Sequence, residues 1–273
     1  MNTWSPGLSR VASRAVPVLL SVGLLAGCVS NGAAGENPPP EERAESAALS
    51  AEELRRELRS LAREVGSGYG GRVGIAVATA DGVTHVGLTG NSWSWSTIKV
   101  PVAVVADREG VATEALIGAS ISSSDNAAAY QLSRAIDLDL GDLPHTPELE
   151  PLPGETLWSL KEQAQFAAEL PCLDTVGTTY EAMGEIVDWQ RYGLAEIPDA
   201  HFKGGWGSDT AEVYTVRQLG TVPVGKGAVG LAVLTHPDDN SHDTAVEILD
   251  AVGAGLAELI EAEAIGPAVT CRA

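Results

Sequence analysis

Three short motifs carry the residue types that acyl transfer requires, and each occurs once along the 273-residue chain. An S-x-x-K motif begins at Ser96, an S-x-N motif at Ser124 and a K-x-G motif at Lys203. A serine hydroxyl becomes a nucleophile when a neighbouring base takes its proton, and a lysine held in an apolar site can be that base. Together the motifs predict a serine nucleophile with a lysine partner.

The S-x-x-K motif lies where a polar loop meets an apolar run, residues 100–106, that is suited to a buried helix. If the helix begins at Ser96, then Ser96 and Lys99 lie one turn apart on the same face. The serine then sits at the helix N-terminus, where free N–H groups favour a developing oxyanion. Taken alone, the motif also describes a serine N-cap followed by a lysine whose amine reaches solvent.

The other two motifs have ordinary structural interpretations when each is taken alone. Ser124-Asp125-Asn126 interrupts a helical stretch and could be an Asx turn between two helices. Lys203-Gly204-Gly205 could be the exposed start of a strand. Their occurrence together with Ser96 and Lys99 favours the catalytic interpretation of all three motifs.

In its motifs and order of elements, the chain from about residue 50 to the C-terminus resembles the penicillin-recognising serine enzymes, the class A β-lactamases and their penicillin-binding relatives. The resemblance implies a role for each motif residue. Ser96 would attack a carbonyl with Lys99 as general base, and Ser124 would relay a proton to the leaving nitrogen. Asn126 would hold Lys99 or the substrate amide, and Lys203 would bind a substrate carboxylate.

The strand of the K-x-G motif is expected to complete the site. By the same resemblance, the backbone N–H groups of Ser96 and Trp206 form an oxyanion hole. Gly204 and Gly205 would let a substrate backbone lie close to the strand. Arg217, on the following strand, is a candidate for a further contact to the substrate carboxylate, and an exposed arginine without a role is the alternative.

Two departures from the family pattern bear on the reaction. Family members carry Thr or Ser where Gly204 stands, so a hydroxyl for the substrate carboxylate is missing. Class A enzymes also have an acidic loop residue that activates the water for deacylation, and Thr146 stands at that point. Glu148 and Glu150 follow it but do not match the catalytic position. The sequence therefore predicts acylation without efficient deacylation.

The first 27 residues have the pattern of a signal peptide, in which Arg10 and Arg14 precede an apolar stretch. The segment Leu25-Ala26-Gly27-Cys28 resembles a bacterial lipobox, which implies cleavage before Cys28 and lipidation of its thiol. Ordinary signal cleavage with an incidental cysteine is the alternative. Residues 28–49 lack apolar periodicity and are expected to form a flexible tether. We therefore expect an exported lipoprotein, anchored to the cell membrane and facing the envelope.

Composition limits the partners. The formal net charge of −20 argues against nucleic acid and against attachment to acidic lipid through charge. His145 and His201 lack metal-ligand spacing, and we expect neither a metal nor a cofactor. The expected partner is a small molecule or a peptidoglycan peptide, with the membrane reached through the lipid on Cys28.

Export would place the remaining cysteines in an oxidising compartment. Once Cys28 is lipidated, Cys172 and Cys271 are the only cysteines left. The sequence predicts that these two pair, which would tie the C-terminal tail to the helical part of the domain and close a loop of about 100 residues.

The elements that must position the motifs follow from local signals. A capping box at Ser50 opens the first helix, and Asp81-Gly82 joins two strands in a hairpin. Two helical pieces flank Ser124, and a second capping box at Ser159 opens a helix that is predicted to end at Pro171. After a further helical stretch over about residues 179–189, three strands lead to a C-terminal helix.

Strands at both chain ends with helices between them imply an α+β fold of the β-lactamase and transpeptidase type. Residues 50–273 would form this domain, with one antiparallel sheet built from both chain ends and a helical lobe over about residues 96–200. The first functional hypothesis is a serine acyltransferase or hydrolase for β-lactam or D-alanyl peptide substrates. The alternatives are a catalytically weakened protein that binds such ligands in the same cleft, and a true class A β-lactamase.

Overall fold

A computed structural model describes residues 48–88 and 92–268. The predicted signal peptide, the lipidation site Cys28, most of the tether and Cys271 lie outside those residues. In chain order the elements are α1 (Ala51–Tyr69), β1 (Gly71–Thr79), β2 (Gly82–Gly87), β3 (Ser92–Trp93), α2 (Lys99–Arg108), α3 (Glu114–Ile121), α4 (Asn126–Ala135), β4 (Leu157–Trp158), α5 (Leu160–Leu173), α6 (Thr178–Gly184), β5 (His201–Ser208), β6 (Tyr214–Val224), β7 (Gly227–Pro237) and α7 (His242–Glu261).

One five-stranded antiparallel sheet, in the order β2-β1-β7-β6-β5, is assembled from both ends of the described chain. The hairpin predicted at Asp81-Gly82 is present, with Thr79 opposite Gly82. β3 and β4 form a separate two-stranded ribbon. The predicted α+β fold, with an antiparallel sheet and a helical part between its first two and last three strands, is confirmed.

The first and last helices pack together on one side of the sheet. The capping box at Ser50 is formed as predicted, with Glu53 as its partner. Leu54 and Leu58 on α1 are buried in the same core as Ile248 on α7. Burial of this apolar stripe, and not intrinsic propensity, is what stabilises helices of such length.

The other side of the sheet carries α5, which approaches β7 very closely. A Cβ on Gly230 would overlap the carbonyl of Ala164, so glycine is required there. α2 lies in a second core of the helical lobe, where Val100, Val102 and Val104 are buried. A helix buried on all sides suits the uniformly apolar run that follows Lys99.

The structure corrects the predicted end of α5, which continues past Pro171 to Leu173. Proline lacks an N–H, so it leaves the carbonyl four residues earlier, that of Ala167, without its helical donor. Thr221 Oγ1 on β6 donates to this carbonyl instead. Cys172 lies in this last turn, and its pairing with Cys271 stays a prediction.

Two further expectations are modified. The helix at the first motif begins as a 3-10 turn, Trp95–Ile98, that leads into α2. The helical stretch expected to reach Trp189 ends at Gly184, and a separate 3-10 turn, Asp188–Gln190, follows. In the part of the chain that the structure describes, no helix has both the length and the apolar character needed to cross a membrane.

Candidate active site

Ser96 lies in a tight turn that is fixed to the sheet. The residue before it, Trp95, has a left-handed φ of 49°, and its indole Nε1 donates to Thr215 Oγ1 on β6 over 2.9 Å. The N–H groups of a first helical turn have no acceptor within the helix. The N–H of Ser96 therefore needs an acceptor from outside the helix, which a ligand oxygen could supply.

Lys99 begins α2 one turn after Ser96, and only 6% of its surface is exposed. Within the described residues its Nζ donates to Ser124 O over 2.7 Å, to Ser124 Oγ over 3.2 Å and to Asn126 Oδ1 over 2.7 Å. Burial lowers the pKa of Lys99 from 10.5 to about 8, while the nearby charge of Asp125 opposes that change. A fraction of the amine is therefore neutral near pH 7.

Ser124 bridges the two lysines of the site. Its φ of 59° is left-handed, and both its carbonyl and its hydroxyl contact Lys99. Lys203 Nζ donates to the same hydroxyl over 3.0 Å and to Gly204 O over 2.8 Å. Lys203 is fully buried, and burial together with the positive charge of Lys99 lowers its pKa well below the ordinary value. The Ser124 hydroxyl thus contacts both amines.

The turn that carries Ser124 is held by its neighbours. Asp125 caps α4 by accepting from Ala128 N over 2.7 Å, so the Asx-type interpretation of this segment also holds. Gln190 Nε2 donates to the carbonyl of Ser123 over 3.2 Å. These contacts fix the backbone on both sides of the Ser124 hydroxyl.

β5 forms the opposite wall. A Cβ on Gly205 would lie 2.5 Å from Ser96 N, so this close approach excludes a side chain. Trp206, which follows Gly205 on β5, lines the cavity together with Ser96. The two residues whose N–H groups are expected to form an oxyanion hole thus lie at the same cavity.

Four of the predicted site residues line a cavity of about 340 Å³. Ser96, Lys99, Asn126 and Trp206 line it, while Ser124 contacts Lys99 from behind. The remaining lining is mostly apolar: Trp95, Ile98, Val102, Ala129, Tyr130, Ser133, Leu152, Pro153 and Gly154. Within the described residues, the lining contains no aspartate or glutamate.

The acidic loop places its carboxylates away from this cavity. Glu148 and Glu150 are exposed, and neither lines it. Thr146 Oγ1 donates to Leu143 O over 2.6 Å and so faces its own loop. The part of the loop that reaches the cavity is residues 152–154, which brings apolar side chains and backbone only.

Arg217 is neither exposed nor in the cavity lining. It is completely buried in β6. Its guanidinium Nη1 donates to Ser92 O, Ser92 Oγ and Trp93 O over 2.8–3.0 Å, and its Nη2 donates to Trp158 O and Gln163 Oε1 over 2.9 and 2.7 Å. The alternative of an exposed arginine is therefore wrong, and this geometry gives Arg217 a positioning role in place of a substrate contact.

Gln163 was missed by the sequence analysis. Its Oε1 accepts from Arg217, and its Nε2 donates to Thr97 Oγ1 over 2.8 Å, next to the nucleophile. The chain Arg217–Gln163–Thr97 thus connects the ribbon β3–β4 to the Ser96 turn. A signal existed: Gln163 lies between Leu160 and Phe166 on the buried face of α5, where a polar side chain needs partners.

Replacing Arg217 with alanine is expected to destabilise the protein by about 3–5 kcal/mol, because buried oxygens that it satisfies would lose their donors. Arg134, an exposed arginine on α4, is the matched control, and Arg134→Ala is expected to change stability by less than about 0.5 kcal/mol. Chemical denaturation of the wild type and both variants measures the difference. Equal stability of the two variants would contradict the positioning role.

Gly205→Ala is expected to slow acylation of Ser96 by about 10²-fold, since the new methyl displaces the nucleophile turn and a shift of about 1 Å costs this much. Gly204 is the control on the adjacent residue. A Cβ on Gly204 would meet its nearest neighbour, Tyr192 Oη, at 3.6 Å, an ordinary contact. Gly204→Ala should therefore acylate at a rate close to that of the wild type. The rates are measured by quenched mass spectrometry, and equal losses in the two variants would refute the steric argument.

Comparison with known proteins agrees with this architecture. Neither a family model nor a curated protein sequence matches the chain. Solved structures do match: a β-lactamase from Streptosporangium roseum has a TM-score of 0.60 at 14% identity and covers 76% of this chain and 99% of its own. An ancestral class A β-lactamase has a TM-score of 0.55 at 16% identity, with 74% and 99% covered.

A β-lactamase from Burkholderia vietnamiensis gives a TM-score of 0.57 at 17% identity, with 74% of this chain and 96% of its own covered. The chain has the β-lactamase fold. The fold expected from the three motifs is therefore confirmed, and almost the whole length of each of these β-lactamases is matched. At such low identity the likeness establishes the fold, and the chemistry must be argued from this chain's own residues.

Proposed function

We propose that this protein is a serine acyltransferase or hydrolase of the cell envelope that takes an acyl group from β-lactam or D-alanyl peptide substrates onto Ser96. The observation that supports this most is the contact of Lys99 and Lys203 with one hydroxyl, that of Ser124, beside the cavity that Ser96 lines. Two buried amines on one hydroxyl form a proton-transfer path that a purely structural turn does not require.

In the proposed reaction the neutral form of Lys99 takes the proton of the Ser96 hydroxyl, and Ser96 Oγ attacks the substrate carbonyl carbon. The oxygen becomes negatively charged and accepts from the N–H groups of Ser96 and Trp206. When the C–N bond breaks, Ser124 donates its proton to the leaving nitrogen and is reprotonated by Lys99. Asn126 keeps the amine of Lys99 in place through its 2.7 Å contact.

In this scheme the protonated form of Lys203 supplies positive potential, although burial and the charge of Lys99 lower its pKa. It is buried behind Ser124 and attracts an anionic substrate without a hydroxyl at Gly204 to help. The proposed location rests on the Leu25-Ala26-Gly27-Cys28 segment, whose lipidation would anchor the domain to the membrane.

The test is intact-protein mass spectrometry after mixing the protein with benzylpenicillin. We expect the mass to rise by that of the drug, and Ser96→Ala to abolish the increase. An adduct that persists in Ser96→Ala, or no adduct with wild type over hours, would refute the assignment of Ser96 as the nucleophile.

One observation favours a second function, that of a binding protein with weakened catalysis. The three hydrogen bonds that Lys99 Nζ donates within the described residues go to Ser124 and Asn126, and none goes to Ser96. An amine that donates three hydrogen bonds is the protonated form, which has no lone pair to take up the serine proton. Saturable quenching of tryptophan fluorescence by benzylpenicillin without any adduct would support this function, since Trp95 and Trp206 line the cavity.

The acylation rate is expected to rise about tenfold from pH 7 to pH 9 and then level off, because the neutral amine is the reactive form and the pKa of Lys99 is about 8. Asp125→Asn keeps an N-cap residue but removes the charge that raises this pKa. Its midpoint should therefore lie at lower pH. Rates of adduct formation across the pH range measure both effects, and a flat profile for the wild type would contradict Lys99 as the base.

A further inference from the structure

A second cavity, of about 380 Å³, shares no residue with the one at Ser96. It lies between the C-terminal half of α1, the start of β1 and the end of β2. Arg59, Arg63 and Arg72 line it. We call this cavity the arginine groove.

The floor of the arginine groove is made by glycines. A Cβ on Gly66 would lie 2.7 Å from the carbonyl oxygen of Gly71, and a Cβ on Gly87 would overlap the carbonyl of Val73. The helix and the two strands therefore approach each other along bare backbone. The concavity results from this close packing, and the arginine side chains stand at its rim.

The arginines of the groove have no carboxylate partners within the described residues. Arg59 and Arg63 lie four residues apart on α1, where like charges are destabilising. Glu64, beside Arg63 in sequence, accepts instead from Ser60 Oγ over 2.8 Å. Three exposed guanidinium groups surround this groove, and within the described residues no aspartate or glutamate lines it. The groove is therefore positively charged in a chain whose net charge is −20.

Two of the three guanidinium groups are already oriented. Arg63 Nε donates to the carbonyl of Arg59 over 3.3 Å. Arg72 Nη2 contacts His236 Nδ1, which can accept from it. Side chains fixed in this way lose less conformational freedom when an anion binds.

We propose that the arginine groove binds a phosphate or phosphodiester group. A carboxylate has two oxygens, which a single guanidinium can satisfy, whereas a tetrahedral phosphate offers oxygens in several directions to several arginines. The group could belong to a soluble phosphorylated molecule or to a phospholipid headgroup, which share this chemistry. The proposal does not depend on the reaction at Ser96.

The test is isothermal titration of the full-length chain, in an uncharged detergent, with pyrophosphate. We expect one binding site whose affinity falls as salt is added. Each arginine removed should weaken binding by about tenfold, so the double variant Arg59→Gln/Arg63→Gln should lose about a hundredfold. Glutamine is a good helix former, and thermal unfolding checks that the variant is folded. Arg134→Gln, on α4, should bind as the wild type does.

Competition experiments identify the source of the phosphate. Displacement of pyrophosphate by glycerol phosphate supports a soluble ligand, and displacement only by nanodiscs that contain phosphatidylglycerol supports a lipid headgroup. Equal binding of pyrophosphate by the wild type and the double variant would overturn the proposal. Equally strong competition by succinate would overturn the choice of phosphate over carboxylate.

Discussion

Replacing Lys99 with arginine is expected to slow acylation of Ser96 by about 10²–10⁴-fold, the usual cost of losing a general base. Arginine keeps the positive charge and can still donate to Ser124 and Asn126. It does not deprotonate in proteins, however, and so cannot take the proton of the serine. Slower acylation by Lys99→Arg would therefore measure the role of Lys99 as a base separately from the role of its charge.

Lys203→Arg is the matched comparison at the second amine of the site. Lys203 is proposed to act through its charge, which arginine retains, so this variant should keep part of the acylation by an anionic substrate. The larger guanidinium must enter a fully buried position, and some loss from strain is expected. Rates of adduct formation and thermal unfolding of both variants are measured together. Wild-type acylation by Lys99→Arg would show that another group is the base.

Local features of the fold could be predicted from the sequence because their physical cause lies within a few residues. The capping box at Ser50 joins groups three residues apart, and the turn at Asp81-Gly82 sets the register of its own hairpin. The position of Lys99 one turn after Ser96 also follows from local helix geometry. Such features need no knowledge of the distant chain.

Features that depend on distant partners could not be predicted. Pro171 is a helix terminator in sequence, yet α5 passes it because Thr221, on another element, donates to the carbonyl that the proline leaves free. Arg217 is a candidate substrate ligand in sequence, yet its acceptors lie up to 125 residues away and enclose it. The sequence shows that such residues need hydrogen-bond partners when they are buried, and only the fold shows which groups supply them.

In the candidate site, too, some features could be predicted from the sequence and others depend on the fold. The motifs identified Ser124 as a hydroxyl near the nucleophile. The backbone of Ser124 is left-handed, and its carbonyl and hydroxyl oxygens both accept from Lys99. The residue type alone does not predict this conformation. The absence of a catalytic carboxylate was predicted because Thr146 stands at the position expected for it. That Glu148 and Glu150 also lie outside the cavity could be learned only from the path of the loop in the structure.

The acyl adduct on Ser96 is expected to be long-lived. Hydrolysis of an ester at Ser96 needs a water activated by a base on the open side of the cavity. No carboxylate lines that cavity within the described residues, and the absence of a general base costs about 10²–10⁴ in rate. In a chase after benzylpenicillin is removed, the adduct mass should therefore persist for hours. Rapid multiple turnover of a chromogenic cephalosporin would contradict this and would point to Glu148 or Glu150 in another loop position.

The same argument can be tested by introducing a carboxylate at Leu152. This residue lines the cavity, and 61% of its surface is exposed, so a polar side chain there can be hydrated at little cost to folding. Leu152→Glu places a carboxylate at the cavity wall and is expected to shorten the lifetime of the adduct. Leu152→Gln has nearly the same shape but no basic oxygen, and its adduct should last as long as that of the wild type. Equal lifetimes for the two variants would show that a carboxylate at this wall does not reach the hydrolytic water, whereas faster release only in Leu152→Glu ties the slow step to the missing base.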